Sequence, residues 1–167
     1  ALKLLEMQRC SMLMYTSCGW FSDEISGVEN VQILCYAARA MQLAREVSGI
    51  MLEEAYITLL EKAPSNIADI GNGAQAYSRF VQPAIIDLLR VGAHYAVSSL
   101  FYEYAETAQP YVFTILRHGY ERLELGKQKL AVGKITVRSE ITLEEELISF
   151  AVVHLGDHNL VGGVRAF

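Results

Sequence analysis

A chain of 167 residues that is 52% apolar and 20% charged can bury a core of its own, and its length suits one domain or a domain and a half of globular type. Its net charge of -5, with no block of Lys or Arg, lacks the electrostatic footprint that a phosphate backbone requires, so no nucleic-acid partner is expected. No apolar run reaches the ~18–20 residues of a membrane span, since even Ala84 to Phe101 is interrupted by Asp87, Arg90 and His94.

The first element runs from Leu2 to Thr16, where Leu2, Leu5, Cys10, Leu13 and Met14 alternate with Lys3, Glu6, Gln8 and Arg9. That spacing predicts an amphipathic helix with a broad, buried apolar stripe. A second helix is predicted from Ser26-Gly27-Val28-Glu29, which has the form of a capping box, to about Ser48, with Gly49 past its end. Met51 to Ala63 gives a third, closed by Pro64, and Pro64 to Gly73 reads as a loop. Ala74 to Phe101 is the fourth, with a kink or a fresh start expected at Pro83.

The pattern changes at Ala108-Gln109-Pro110. Alternating and β-branched residues split by Gly119, Gly126, Gly133 and Gly156 predict strands near Tyr111–His118, Tyr120–Leu125, Lys129–Ile141, Leu147–Leu155 and Leu160–Ala166. Helices followed by strands without alternation predict an α+β fold: a bundle of about four helices over 1–108, then antiparallel strands over 111–167. The chain opens in helix-like sequence and stops in strand-like sequence, which predicts a segment of a longer polypeptide with an incomplete β domain.

Three cysteines without CxxC spacing, Cys10, Cys18 and Cys35, suit reduced thiols, and no basic-then-apolar leader opens the chain, so a cytoplasmic location is expected. No P-loop, GxGxxG, GxSxG or HExxH occurs, so no familiar short motif supplies catalysis or a cofactor site.

Two clusters hold candidate chemistry. Trp20, the only tryptophan, follows Tyr15, Thr16 and Ser17 and precedes Phe21, Asp23 and Glu24 where the helical pattern breaks at Gly19. An indole beside hydroxyls and carboxylates suits stacking on a sugar face, with Asp23 and Glu24 accepting from its hydroxyls. Composition alone favours the alternative, in which Trp20 closes the bundle as a core anchor against Leu13 and Leu34. His154, Asp157 and His158 place three potential metal ligands in five residues, but a fourth ligand is missing, and a local turn is the favoured reading. His94-Tyr95 reads as a structural polar pair, Asp87 and Arg90 as a helical pair, and Glu144-Glu145-Glu146 as a solvated turn.

The ordered blocks Met14–Glu29, Val31–Ala44, Arg90–Phe101, Lys129–Thr142 and His154–Phe167 together resemble a bacterial and archaeal family, the domain of unknown function 3536, found C-terminal to a glycoside hydrolase family 57-type catalytic domain. The resemblance implies a helical bundle packed on an incomplete (β/α) barrel, with β structure beyond. It implies that the catalytic carboxylates lie on the barrel, outside this chain. Thr16 to Phe21 is similar to the aromatic segment such enzymes extend towards the glucan site, so Trp20 is the position carried over; Ser22 stands where many relatives have another aromatic. What the resemblance implies is therefore a non-catalytic accessory segment without a cofactor, partnered by the barrel and an oligo- or polysaccharide; a segment cut from that barrel would expose its docking surface, through which a homodimer of the fragment is expected. The alternative is a structural or interaction module in which Trp20 has no ligand role.

Overall fold

The computed structural model describes residues 1–167 and has the α+β class expected, helices first and an antiparallel sheet after them. The chain divides into two compact units, Ala1–Ile85 and Ile86–Phe167. Composition changes near Pro110, whereas compactness divides the chain some 25 residues earlier, because the last helix packs on the sheet.

In the first unit, α1 (Leu2–Leu13) lies along α3 (Val28–Ser48). They run antiparallel, Lys3 at the start of α1 pairing with Glu46 near the end of α3 at 3.0 Å. The predicted stripe of α1 holds in part: Cys10 is buried as expected, whereas Leu2 and Leu5 are exposed and Glu6 is buried. Glu6 and Cys10 stand four residues apart on the helix that packs along α3, so a carboxylate is taken out of water there. Arg9 makes this tolerable by donating twice to the Glu6 carboxylate, both bonds 2.7 Å.

No capping box opens α3. Its N-cap is Gly27, without a side-chain bond, because the Ser26 hydroxyl and N–H both donate to the Glu24 carboxylate, at 2.6 and 2.9 Å. A charged acceptor two residues back outcompetes the helix end. The other end is as expected: Gly49 takes the left-handed conformation (φ 74°) and its N–H bonds the Arg45 carbonyl. Next come α4 (Glu53–Leu60) and, past the Pro64–Gly73 loop, α5 (Gly73–Ala76). The predicted fourth helix then loosens into a π turn (Tyr77–Val81) and a 3₁₀ turn (Gln82–Ala84). Pro83 is the cause: it has no N–H and its ring collides with the carbonyl four residues earlier. Leu34, Ala38, Leu60, Tyr77 and Val81 form the core of this unit.

The second unit starts afresh with α6 (Leu88–Ser99), where Asp87 caps the helix by accepting from the Arg90 N–H at 2.7 Å. A meander follows: β1 (Thr107–Ala108), β2 (Phe113–Leu125), β3 (Gln128–Ser139), β4 (Glu145–Gly156) and β5 (Asn159–Ala166), all antiparallel and in chain order across the sheet. The two strands predicted on either side of Gly119 are one, since Gly119 marks a bulge in β2. Ile115, Ala131, Ile135, Val137, Ile148, Phe150 and Val152 point from the sheet to Leu88, Val91, Tyr95, Ala96 and Leu100, and all are buried. Period 2 and period 3.6 thus meet in one core. Tyr95 is buried within it and its neighbour His94 faces outward. No helix is long and apolar enough to cross a membrane.

Candidate functional site

After Leu13 the chain leaves α1 by tight turns, with the Tyr15 N–H on the Met12 carbonyl and the Thr16 hydroxyl on the Leu13 carbonyl, and enters the single turn α2 (Cys18–Phe21). One turn cannot hold itself, since nucleation costs more than its few bonds return. It is seated instead by Gly19, where an added Cβ would stand 2.8 Å from Cγ1 of Ile33 on α3. The seat turns the aromatics away from the unit: Trp20, Phe21 and Tyr15 are 75%, 84% and 78% exposed. The Trp20 and Phe21 rings meet edge to face, 6.4 Å between centroids. A core anchor against Leu13 and Leu34 is therefore not what Trp20 is in this structure.

The two carboxylates fare differently. Asp23 is exposed. Glu24 is engaged by the protein: besides Ser26, its Oε1 accepts from the Ser65 hydroxyl at 2.7 Å and its Oε2 from the Asn66 N–H at 2.7 Å. These donors, the Ser26 hydroxyl foremost and then that of Ser65, hold its carboxyl down at about 2. Its backbone carbonyl takes the Asn30 side-chain amide at 2.7 Å, and the Asn66 amide donates to the Asp23 carbonyl. Glu24, expected as an acceptor for sugar hydroxyls, thus takes three donors on Oε1 and one on Oε2 from within the chain. Ser65 and Asn66 are the residues that sequence reasoning missed. Their only signal is a turn-rich Pro-Ser-Asn triplet, which says nothing of a partner about forty positions away.

His154, Asp157 and His158 do not converge, and no group of three or more His, Cys, Asp or Glu side chains is placed to hold a metal ion. The His154 Nε2 stands 3.0 Å from the Asp157 carbonyl, which can only accept, so Nε2 carries the proton. Its ring packs on the edge of Phe101 at 5.3 Å. Asp157 and His158 form the β4–β5 turn, Asp157 at φ 51°. That is the local arrangement of a turn.

Two further clusters are structural. Glu6 accepts from Arg9 and from the Cys10 thiol, the latter at 3.6 Å; Arg9 lowers the Glu6 carboxyl, while burial first and then Glu6 raise the Cys10 thiol, which makes it inert rather than nucleophilic. Tyr77, fully buried, donates to Glu53 at 2.9 Å, and burial with that bond keeps its phenol protonated. Cys10, Cys18 and Cys35 are all free thiols.

Compared with known families, residues 1–167 match the model of the domain of unknown function DUF3536, so the chain belongs to that family. No curated protein and no solved structure matches it.

Proposed function

We propose, from that family membership and the exposed aromatics of α2, that this chain is a non-catalytic accessory segment of a carbohydrate-active enzyme of the glycoside hydrolase family 57 type. Trp20 presents its indole to an oligosaccharide, while nucleophile and acid belong to a catalytic barrel of the same polypeptide. The single observation carrying this reading is that the only tryptophan of the chain stands 75% exposed at the end of a one-turn helix, where burying it would have been the cheaper use of a large apolar ring. Asp23, exposed three residues on, offers a carboxylate to a sugar hydroxyl. A cytoplasmic location and an α-glucan substrate belong to the same reading.

The experiment is calorimetric titration of maltoheptaose into the protein carrying its catalytic domain. Trp20→Ala is expected to weaken binding about two- to tenfold, the worth of ~0.5–1.5 kcal/mol of ring stacking. The isolated chain is expected to hydrolyse no α-glucan. Unchanged affinity in Trp20→Ala rejects the stacking role, and turnover by the chain alone rejects the accessory one.

A second reading is favoured by a separate observation: α1 turns Leu2, Leu5 and Met12 outward along with Tyr15, Trp20 and Phe21. Such a surface suits docking of another domain or a second copy. In that case alanine at Trp20 weakens association and leaves sugar affinity unaltered.

A further inference from the structure

We propose that Glu24 is a positioning residue for Trp20: its carboxylate clasps the segment leaving α2 to the loop at Ser65 and Asn66, so that the indole is presented in one orientation. The inference rests on the sugar-facing reading of Trp20 only for why orientation matters.

A single helical turn such as α2 is weak on its own. Its four residues are bonded through little more than the Trp20 and Phe21 N–H groups on the Ser17 carbonyl, at 3.2 and 3.0 Å. The indole of such a turn is only as fixed as the chain on either side of it. On the N-terminal side, Gly19 rests on Ile33. On the C-terminal side the chain becomes extended at Ser22, and nothing from Ser22 to Ile25 lies in a helix or strand. That segment is held by Glu24. Four donors meet one carboxylate: the Ser26 N–H at 2.9 Å, the Ser26 hydroxyl at 2.6 Å, the Ser65 hydroxyl at 2.7 Å and the Asn66 N–H at 2.7 Å.

Two of those donors come from across the unit. Asn66 adds a return bond to the Asp23 carbonyl, so the strap is tied at two successive residues. The receiving loop is itself braced, with the Ser65 N–H on the Gly71 carbonyl at 3.0 Å and the Ile67 N–H on the Ser65 hydroxyl at 3.0 Å. A charge-assisted cluster of this kind is stronger than the neutral bonds of an ordinary turn. Immobilising the side chain beforehand removes an ordering cost from ligand binding. The clasp thus does for Trp20 what a neighbouring strand would do in a sheet.

Trp20 is the only tryptophan, so its time-resolved fluorescence anisotropy reports the clasp directly. The measurement compares the wild-type chain with Glu24→Gln, Ser65→Ala and Ser65→Thr. In the wild type the decay should follow overall tumbling. In Glu24→Gln, whose amide presents N–H groups where donors already point, and in Ser65→Ala, part of the slow amplitude should be lost to a nanosecond local component. Ser65→Thr, which keeps the hydroxyl, should restore the wild-type decay. An unchanged decay in Glu24→Gln overturns the proposal. If far-ultraviolet dichroism shows that variant unfolded, an unchanged decay in Ser65→Ala overturns it in the same way. The ligand reading fails separately: a loosened Trp20 in Glu24→Gln together with full maltoheptaose affinity in Trp20→Ala upholds the clasp and rejects sugar stacking.

Discussion

Gly19 and Ile33 approach so closely that a β-carbon on the glycine would lie 2.8 Å from the isoleucine Cγ1. The obstacle is the branched stem of a side chain on the longest helix, not the free end of a flexible one, and it has little room to give. Gly19→Val should therefore lever α2 off α3, costing about 1–3 kcal/mol by overpacking and shifting the Trp20 emission. Urea unfolding followed by fluorescence measures both at once.

Trp20 itself should be dispensable for stability. An exposed ring leaves no cavity when removed, so Trp20→Ala should change the unfolding free energy by no more than ~0.5 kcal/mol. A core anchor of that size would cost ~3–5 kcal/mol. Denaturation followed by far-ultraviolet dichroism, which does not need the tryptophan, distinguishes the two.

Acid should undo the Glu24 clasp. The carboxyl titrates at about 2 in the folded chain, below its ordinary value of 4.5. A depressed pKa means that the folded state prefers the charged form, so its contribution is complete above the ordinary carboxylate range. It is lost as pH falls through ~4.5 towards 2. Trp20 anisotropy recorded from pH 6 to pH 2 should show a loss of slow amplitude in that window, and Glu24→Gln should show no such step. Glu6, also lowered by its partner Arg9, reports on the α1–α3 contact rather than on Trp20, and its variant Glu6→Gln should retain the step.

Phe150 carries the sheet core. It is the cross-strand partner of Gly133, and an added Cβ on that glycine would lie 2.7 Å from the phenyl Cζ and 2.8 Å from the Gly119 carbonyl oxygen, so ring and backbone together occupy the space a side chain would take. Phe150→Ala should cost ~3–5 kcal/mol, and Gly133→Val about 1–3 kcal/mol by overpacking against the ring and the Gly119 carbonyl. Differential scanning calorimetry of the two variants checks the order.

The regular elements were legible in the sequence because their signals are local. The period of Val31, Leu34, Ala38 and Met41, closed by Gly49, gave α3 to within two residues of its start, and alternation gave β3, β4 and β5. What was illegible depended on partners remote in the chain. Leu2 and Leu5 of α1 read as buried, yet they are exposed and Glu6 is buried. Ser26 looked like a cap until Glu24 took its hydroxyl. The strand β1, two residues long, carries no periodic signal at all.

The candidate site divides along the same line. Trp20 stood out by rarity and by the break at Gly19, but nothing in its neighbours indicated which way it would face. Glu24 stood out for its charge, and nothing near it in sequence indicated that Ser65 and Asn66 would donate to it. Rarity is written in one dimension, whereas occupancy is a property of three.

The interruption at Pro83 has a consequence for how the gene can be cut. A truncation placed where composition changes, at Ala108, would leave α6 behind and strip from the sheet the helix that covers Ile135, Ile148 and Phe150, giving a sticky half-domain. A truncation between Ile85 and Ile86 parts two segments that each retain a hydrophobic cluster of their own. The proline that spoils a long helix is thus also the natural seam for recombining the two modules.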